Sequence, residues 1–224
     1  MIELAAGGNA RERLLSAAER LFAERGVEGV SLNEINRAAE QRNTSAVQYH
    51  FGDRARLLKA VINKHSPDVD ARRAALLQQY QDSGRGDLRA LAGALVLPLA
   101  AKLSDPDGGR EYLRIVAELV NRPIPRFDVL IDETAGSSIL AWRKWLEPLL
   151  PRESAVVFHA RFTAIRFSHT ELAARAAARP RHDDRLFVSR LIDLVTSLLA
   201  TPVSEQTERL ISERAEAESQ ATTY

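Results

Sequence analysis

Apolar residues recur along this chain at intervals of three and four. No segment sustains the every-second-residue alternation of a half-buried strand, so the pattern predicts helices nearly throughout. Residues 10–25 carry Leu14, Ala18, Leu21 and Phe22 on one stripe, and Gly26 stands where a helix C-cap would. The run Ser31-Leu32-Asn33-Glu34 reads as a capping box that opens a short helix with Leu32, Ile35 and Ala39 on one face. After the break at 41–44 a helix is predicted near 45–51, ended by Gly52. Asp53 then caps another helix, whose Leu57, Leu58, Val61, Ile62 and His65 share a face and which Pro67 follows. Longer helices are predicted near 69–82, 87–103, 109–121, 127–149, 153–178 and 183–201, punctuated by Gly84, Gly86, the run 104–109, "RPIP" at 122–125, Pro151 and Pro180. The Glu-rich tail from 205 reads as a last polar helix or a fraying end. The expectation is an all-α chain: three short helices in a first domain, 1–66, and a larger helical body, 67–224.

Composition narrows the function classes without choosing one. With 224 residues, 45% hydrophobic and 27% charged, the chain can bury a sizeable core. The absence of cysteine removes disulfides, thiolate metal sites and cysteine nucleophiles, and fits a reducing cytoplasm. The N-terminus shows no basic stretch followed by a long apolar run, and no segment approaches 18 uninterrupted apolar residues, so neither a signal peptide nor a membrane partner is expected. A net charge of +1 is too small to point to nucleic acid on its own. Residues 1–66 hold ten Lys or Arg against eight Asp or Glu, so any DNA binding must come from local placement of charge.

The third short helix has an outward face that needs a partner. At about 100° per residue, Val47 and Phe51 fall on one side with His50 nearby, while Ser45 and Tyr49 lie nearly opposite and Gln48 sits on the flank. Two short helices joined by a turn behind a supporting helix describe a helix-turn-helix unit. An outward Gln, Ser and Tyr are side chains that can reach base edges or phosphates in a major groove. Arg54 adds a positive charge at the start of the next helix.

The stretches "RERLLSAAERLFAERGVEGVSLNEI" and "YHFGDRARLL" resemble the tetracycline-repressor (TetR) family of bacterial regulators over about residues 10–62. Ala18, Leu21, Phe22, Gly26, Ser31, Ile35, His50, Phe51 and Arg54 stand where that family's pattern expects them. Two departures are visible. The family's usual "A-G-V-S" turn is replaced by "A-E-Q-R-N-T" at 39–44, and the tyrosine common two residues before the histidine is Gln48 here, with Tyr49 next to His50. The resemblance implies a double-stranded DNA operator, contacted by Ser31, Asn43, Thr44, Ser45, Gln48, Tyr49, His50 and Arg54.

For the body, the resemblance implies a small-molecule effector site and a homodimer formed through the last two long helices. Tyr112, Asn121, Phe127, Trp142 and Trp145 lie on the helices it would set around the cavity. With few interior charges apparent, a hydrophobic or amphipathic effector is expected. The dimer has support of its own, because a second apolar stripe in 153–178 (Val157, Ala160, Ala164, Phe167) and an unusually wide one in 183–201 (including Leu191, Val195 and Leu198) exceed what one core needs. Catalytic readings find little. The five histidines form no i, i+4 pair and no H-E-x-x-H, and neither a P-loop nor a G-x-G-x-x-G is present, so no catalytic residues, metal or cofactor are expected. The reading is a dimeric, ligand-released repressor rather than an enzyme. The competing reading is a helical-bundle enzyme or small-molecule-binding module whose front helices are structural.

Overall fold

A computed structural model describes residues 3–43, 45–84, 86–124, 137–151 and 160–221, and among these every regular element is a helix. The front unit is α1 (Glu3–Arg25), α2 (Leu32–Ala38) and α3 (Ala46–Phe51). The body is α4 (Arg54–Asp82), α5 (Leu88–Ala100), α6 (Gly109–Asn121), α7 (Ser138–Leu146), α8 (Ala160–Ala177) and α9 (Arg185–Ala200), followed by α10 (Glu205–Ala221).

The predicted caps appear with their geometry. The Ser31 hydroxyl accepts from the Glu34 amide at 3.2 Å while the Ser31 amide donates to the Glu34 carboxylate at 2.8 Å, so two free helix-end donors are satisfied reciprocally. Asp53 accepts from the Arg56 amide at 2.8 Å and starts α4. Gly26 leaves α1 with φ +81, a conformation that a side chain would strain.

One boundary differs from expectation. Pro67 does not end a helix: α4 runs without interruption from Arg54 to Asp82. Pro67 lies on the exposed face, where the carbonyl it leaves without an amide partner can reach water, and Val69, Arg73, Leu77 and Tyr80 beyond it are buried. The expected division between 66 and 67 therefore falls inside one rigid helix. In the body, described helix begins at Ser138 within the predicted 127–149 and at Ala160 within the predicted 153–178; the parts before them lie outside the described residues.

A single buried cluster runs from Leu14, Phe22, Ile35 and Val47 in the front unit through Leu57 and Ile62 of α4 to Leu91, Leu95, Ile115, Leu119, Trp142, Leu172 and Val195 in the body. Trp142 is fully buried and its indole N–H donates to the Leu91 carbonyl at 2.8 Å. The interior is more charged than the sequence reading expected. Glu19, His65, Arg73, Lys102, His169 and Arg175 are all buried. Long side chains scattered over helices cannot be assigned to an interior by local pattern, because their heads are sequestered only once distant elements close over them.

Part of that charge joins the front unit to the body. Glu19 of α1 lies 2.6 Å from His65 Nε2 and accepts from Lys64 at 2.8 Å, and Lys64 also donates to Asp107 at 2.7 Å. Burial works against the Lys64 charge, but the two carboxylates outweigh it and raise its pKa. Gly108 (φ +81) closes the joint, since a Cβ there would stand 2.1 Å from the Glu19 carboxylate.

Candidate DNA-reading face and effector cavity

Helix α3 is built so that one face is fully committed and the other is free. Val47 and Phe51 are buried, and Asn36 of α2, also buried, accepts from the Val47 amide at 3.0 Å. That bond satisfies one of the orphan donors at the start of α3 and ties the two helices together. Sequence reasoning missed Asn36, which shows no periodic signal. The turn is held by Gln41, whose amide donates to the Asn36 carbonyl at 2.9 Å, and by Asn43, whose side chain accepts from the Ser45 amide at 2.9 Å. Glu40 takes φ +54 in this turn, a conformation that disfavours a Cβ.

Of the residues expected at DNA, Asn43, Ser45, Gln48 and Tyr49 are exposed, and Tyr49 is 84% exposed, rare for a tyrosine without a partner. His50 is half-buried, edge-on to Tyr49 at 5.0 Å. Thr44 lies outside the described residues. Two others are less free than expected. The Ser31 hydroxyl is engaged with Glu34 both as acceptor and as donor, the latter at 2.7 Å. Arg54 turns inward, donating to the Val27 carbonyl at 2.6 Å, and so braces α4 against the α1–α2 turn. Glu34 itself is held down to about 2 by the Ser31 amide and hydroxyl, with Arg25 adding to the effect. Beside α3 runs a groove lined by Arg11, Leu15, Arg56, Lys59 and Lys64, and the Arg11 guanidinium lies 4.9 Å from the Phe51 ring centre. This basic strip was legible only after folding, since Arg11 and Lys59 come from different helices.

The body holds a partly open cavity of about 230 Å³. Of the residues expected at an effector site, Tyr112 and Trp142 line it, together with Val69, Asp70, Arg73, Val116, Val120, Ile139, Arg161, Phe162, Ile165 and His169, among others. Asn121 does not, because its amide donates to the Ala117 carbonyl and to Thr170. Trp145 is not part of the wall, and Phe127 lies outside the described residues. The wall is therefore amphipathic rather than plainly apolar. Burial holds the Tyr112 hydroxyl well above the ordinary phenol value and pulls His169 down to about 4, so both are neutral near pH 7. Arg73 adds to the His169 shift.

Helix α6 touches both regions. Tyr112, Val116 and Val120 face the cavity, while Glu118, roughly opposite Val116 around the helix, accepts from the Val27 amide at 3.0 Å. Arg122, one turn on, pairs with Glu118 at 2.8 Å and Glu28 at 3.3 Å.

The expected dimer residues divide. Ala160, Ala164, Leu191 and Val195 belong to the chain's own core, at most 9% exposed, and cannot form an outer surface. They pack inside the chain, on helices whose neighbours are α5, α6 and the other helix of the pair. Phe167 and Leu198, with Phe187 and Leu194 beside them, remain only partly buried. Val157 lies outside the described residues. Among the described residues, no group of three or more His, Cys, Asp or Glu could hold a metal ion, and no single helix is long and apolar enough to cross a membrane.

Residues 14–61 match the model of the family described as bacterial regulatory proteins, tetR family. The fold is similar to solved structures of the hemolysin II transcriptional regulator HlyIIR, at 19% identity and TM-score 0.51 over 88% of this chain and 99% of that one. A mutant of the same regulator gives 17% identity and TM-score 0.53 over 86% and 96%. A structure described as a tetR family transcription regulator from Shewanella sp. PV-4 gives 16% identity and TM-score 0.51 over 85% and 95%. A comparison with curated proteins finds no match.

Proposed function

We infer that this chain, a TetR-type transcription regulator by the match over residues 14–61, works as a homodimeric repressor that leaves a palindromic operator when a small molecule fills the body cavity. The observation that carries the DNA reading is the free face of α3: Ser45, Gln48 and Tyr49 are exposed on a helix whose other face is buried and whose start is tied to α2. A helix of this kind enters the major groove, where Gln can pair with adenine and Ser with several bases, while Tyr reaches a phosphate or a thymine methyl. Arg11, Arg56 and Lys59 flank it as phosphate contacts that position without reading. Two half-sites need two readers, and the partly buried Phe167 of α8 with Phe187, Leu194 and Leu198 of α9 are the side chains on which a second protomer would pack.

Release would run through α6. A ligand against Tyr112, Val116 and Val120 shifts the helix whose other side holds Val27 and Glu28, and Val27 is in turn held by Arg54 at the start of α4. Such a ligand acts only through a difference in its affinity for the two arrangements, and operator DNA must weaken its binding by the same factor. The test is titration of the chain onto palindromic fragments from its own upstream DNA at rising salt. Two protomers per fragment, with log K falling linearly in log salt, support the reading. Failure to prefer any such fragment over random DNA at low salt contradicts it.

A further inference from the structure

The cavity wall is unbalanced in charge. Three arginines face it, Arg73, Arg143 and Arg161, against one carboxylate, Asp70. Arg73 is 6% exposed; its Nε donates to the Ala94 carbonyl at 3.2 Å, and its Nη1 donates to the Ser138 hydroxyl at 3.0 Å and, at a longer 3.4 Å, to the Asp70 carboxylate. Asp70 has 45% of its side chain exposed and also accepts from the Ser138 hydroxyl, so its charge is shared with water and with that hydroxyl. Arg143 reaches Glu147 only at 3.9 Å. Arg161 lies over the Phe162 ring, and its Nε is buried with no hydrogen-bond partner among the described residues. Asp70 is the one carboxylate set against three guanidinium charges here, so burying Arg73 and Arg161 stays costly, and a bound anion would lower that cost.

The neutral polar groups complete a recognition set. His169 Nδ1 lies 2.7 Å from the Ile165 carbonyl and so donates there, which leaves Nε2 as an acceptor. Much of the remaining wall is apolar, including Val116, Ile139, Trp142 and Ile165. At about 230 Å³ the space is smaller than the roughly 300–1,000 Å³ of pockets for drug-sized ligands, which suits one aromatic ring or an acyl chain that can extend through the open side.

We propose that the cavity binds a small organic acid, its carboxylate seated on the Arg73 guanidinium and its apolar body against Trp142, Val116 and Ile165. The planar fork of an arginine matches a carboxylate and discriminates it from an uncharged amide. This assignment rests on reading the cavity as the effector site, but it can be measured without DNA.

The experiment is calorimetric titration of the full chain with benzoate and octanoate, each beside its neutral amide. At least one acid should bind tenfold or more tighter than its amide, and Arg73→Gln should abolish that preference. Arg161→Gln, at a half-buried position, should narrow the same ratio in a variant that folds even if Arg73→Gln does not. Equal binding of acid and amide, no binding of either acid, or an acid preference that survives both substitutions would overturn the proposal. A neutral compound that fills the cavity and empties the operator would overturn it while leaving the effector reading standing. An acid that binds through Arg73 without changing operator affinity would uphold it and overturn the effector reading.

Discussion

The front unit and the body solve opposite problems with the same kind of element. The front unit keeps the polar groups of one helix face in water. Its outward residues are therefore exposed, and their supports lie close in sequence: Ser31 with Glu34, Asn36 with Val47, Asn43 with Ser45. The body must withdraw polar groups from water, and its wall gathers residues from Ser66 to His169 around a buried arginine and a neutral histidine. A surface reader is written in short spacing, whereas a cavity is written in long-range packing.

The largest expected effect concerns assembly. Phe167→Glu together with Leu198→Glu should leave a folded monomer, because each carboxylate buried in a subunit contact without a partner costs about 3–5 kcal/mol. Light scattering reads the mass and circular dichroism the helicity. A folded dimer would move the interface elsewhere. Val195 is unsuited to this test, since it is fully buried within one chain and its replacement would unfold the body.

Acid separates the two regions next. His169 is depressed from 6.5 to about 4, so between these values the unfolded chain takes up the proton that the folded chain refuses. The stability this contributes is complete above pH 6.5 and falls by roughly 3 kcal/mol as pH drops towards 4. Glu34, lowered from 4.5 to about 2, contributes above 4.5 and loses its contribution only as pH falls towards 2. Urea melts between pH 7 and 4 should show a loss that His169→Gln diminishes, while the Glu34 carboxyl resonance stays in its ionised position. An unchanged pH profile in His169→Gln would contradict the assignment.

Within the front unit, Asn36→Ala removes the acceptor of the buried Val47 amide and should cost about 1–3 kcal/mol in denaturant melts. Operator binding should fall beyond what the lost stability explains, because α2 and α3 are no longer tied together by that bond; an unaltered operator affinity would deny Asn36 that role. The smallest effect is at the turn. Glu40→Gly relieves a residue at φ +54 and should stabilise the chain by about 1 kcal/mol or less, and a destabilised variant would show the turn to be relaxed as it stands.

How much was legible follows the same division. The front helices, the capping box, the Asp53 cap and the outward set of Ser45, Gln48 and Tyr49 could all be read from spacing, because each depends on residues within one or two turns. Pro67 misled because an exposed proline can be carried inside a helix when the packing on both sides is strong. Ser31 and Arg54 were found in place but with their donors engaged internally, which no linear pattern reveals. In the body Ala164 and Val195 pack within the chain, which spacing could not tell, since an apolar stripe looks the same whether it meets its own chain or another. Arg73 gave no signal at all, because its burial depends on α5 and α7 closing over α4.

The central claim is that α3 reads bases through one uncommitted face. Its most direct test is the affinity of Gln48→Ala and Ser45→Ala, beside the parent chain, for its operator and for random DNA at one fixed salt concentration. The account predicts a loss of about 1–3 kcal/mol on the operator for each variant and almost none on random DNA. Equal losses on both DNAs would place these side chains on phosphates and contradict the account.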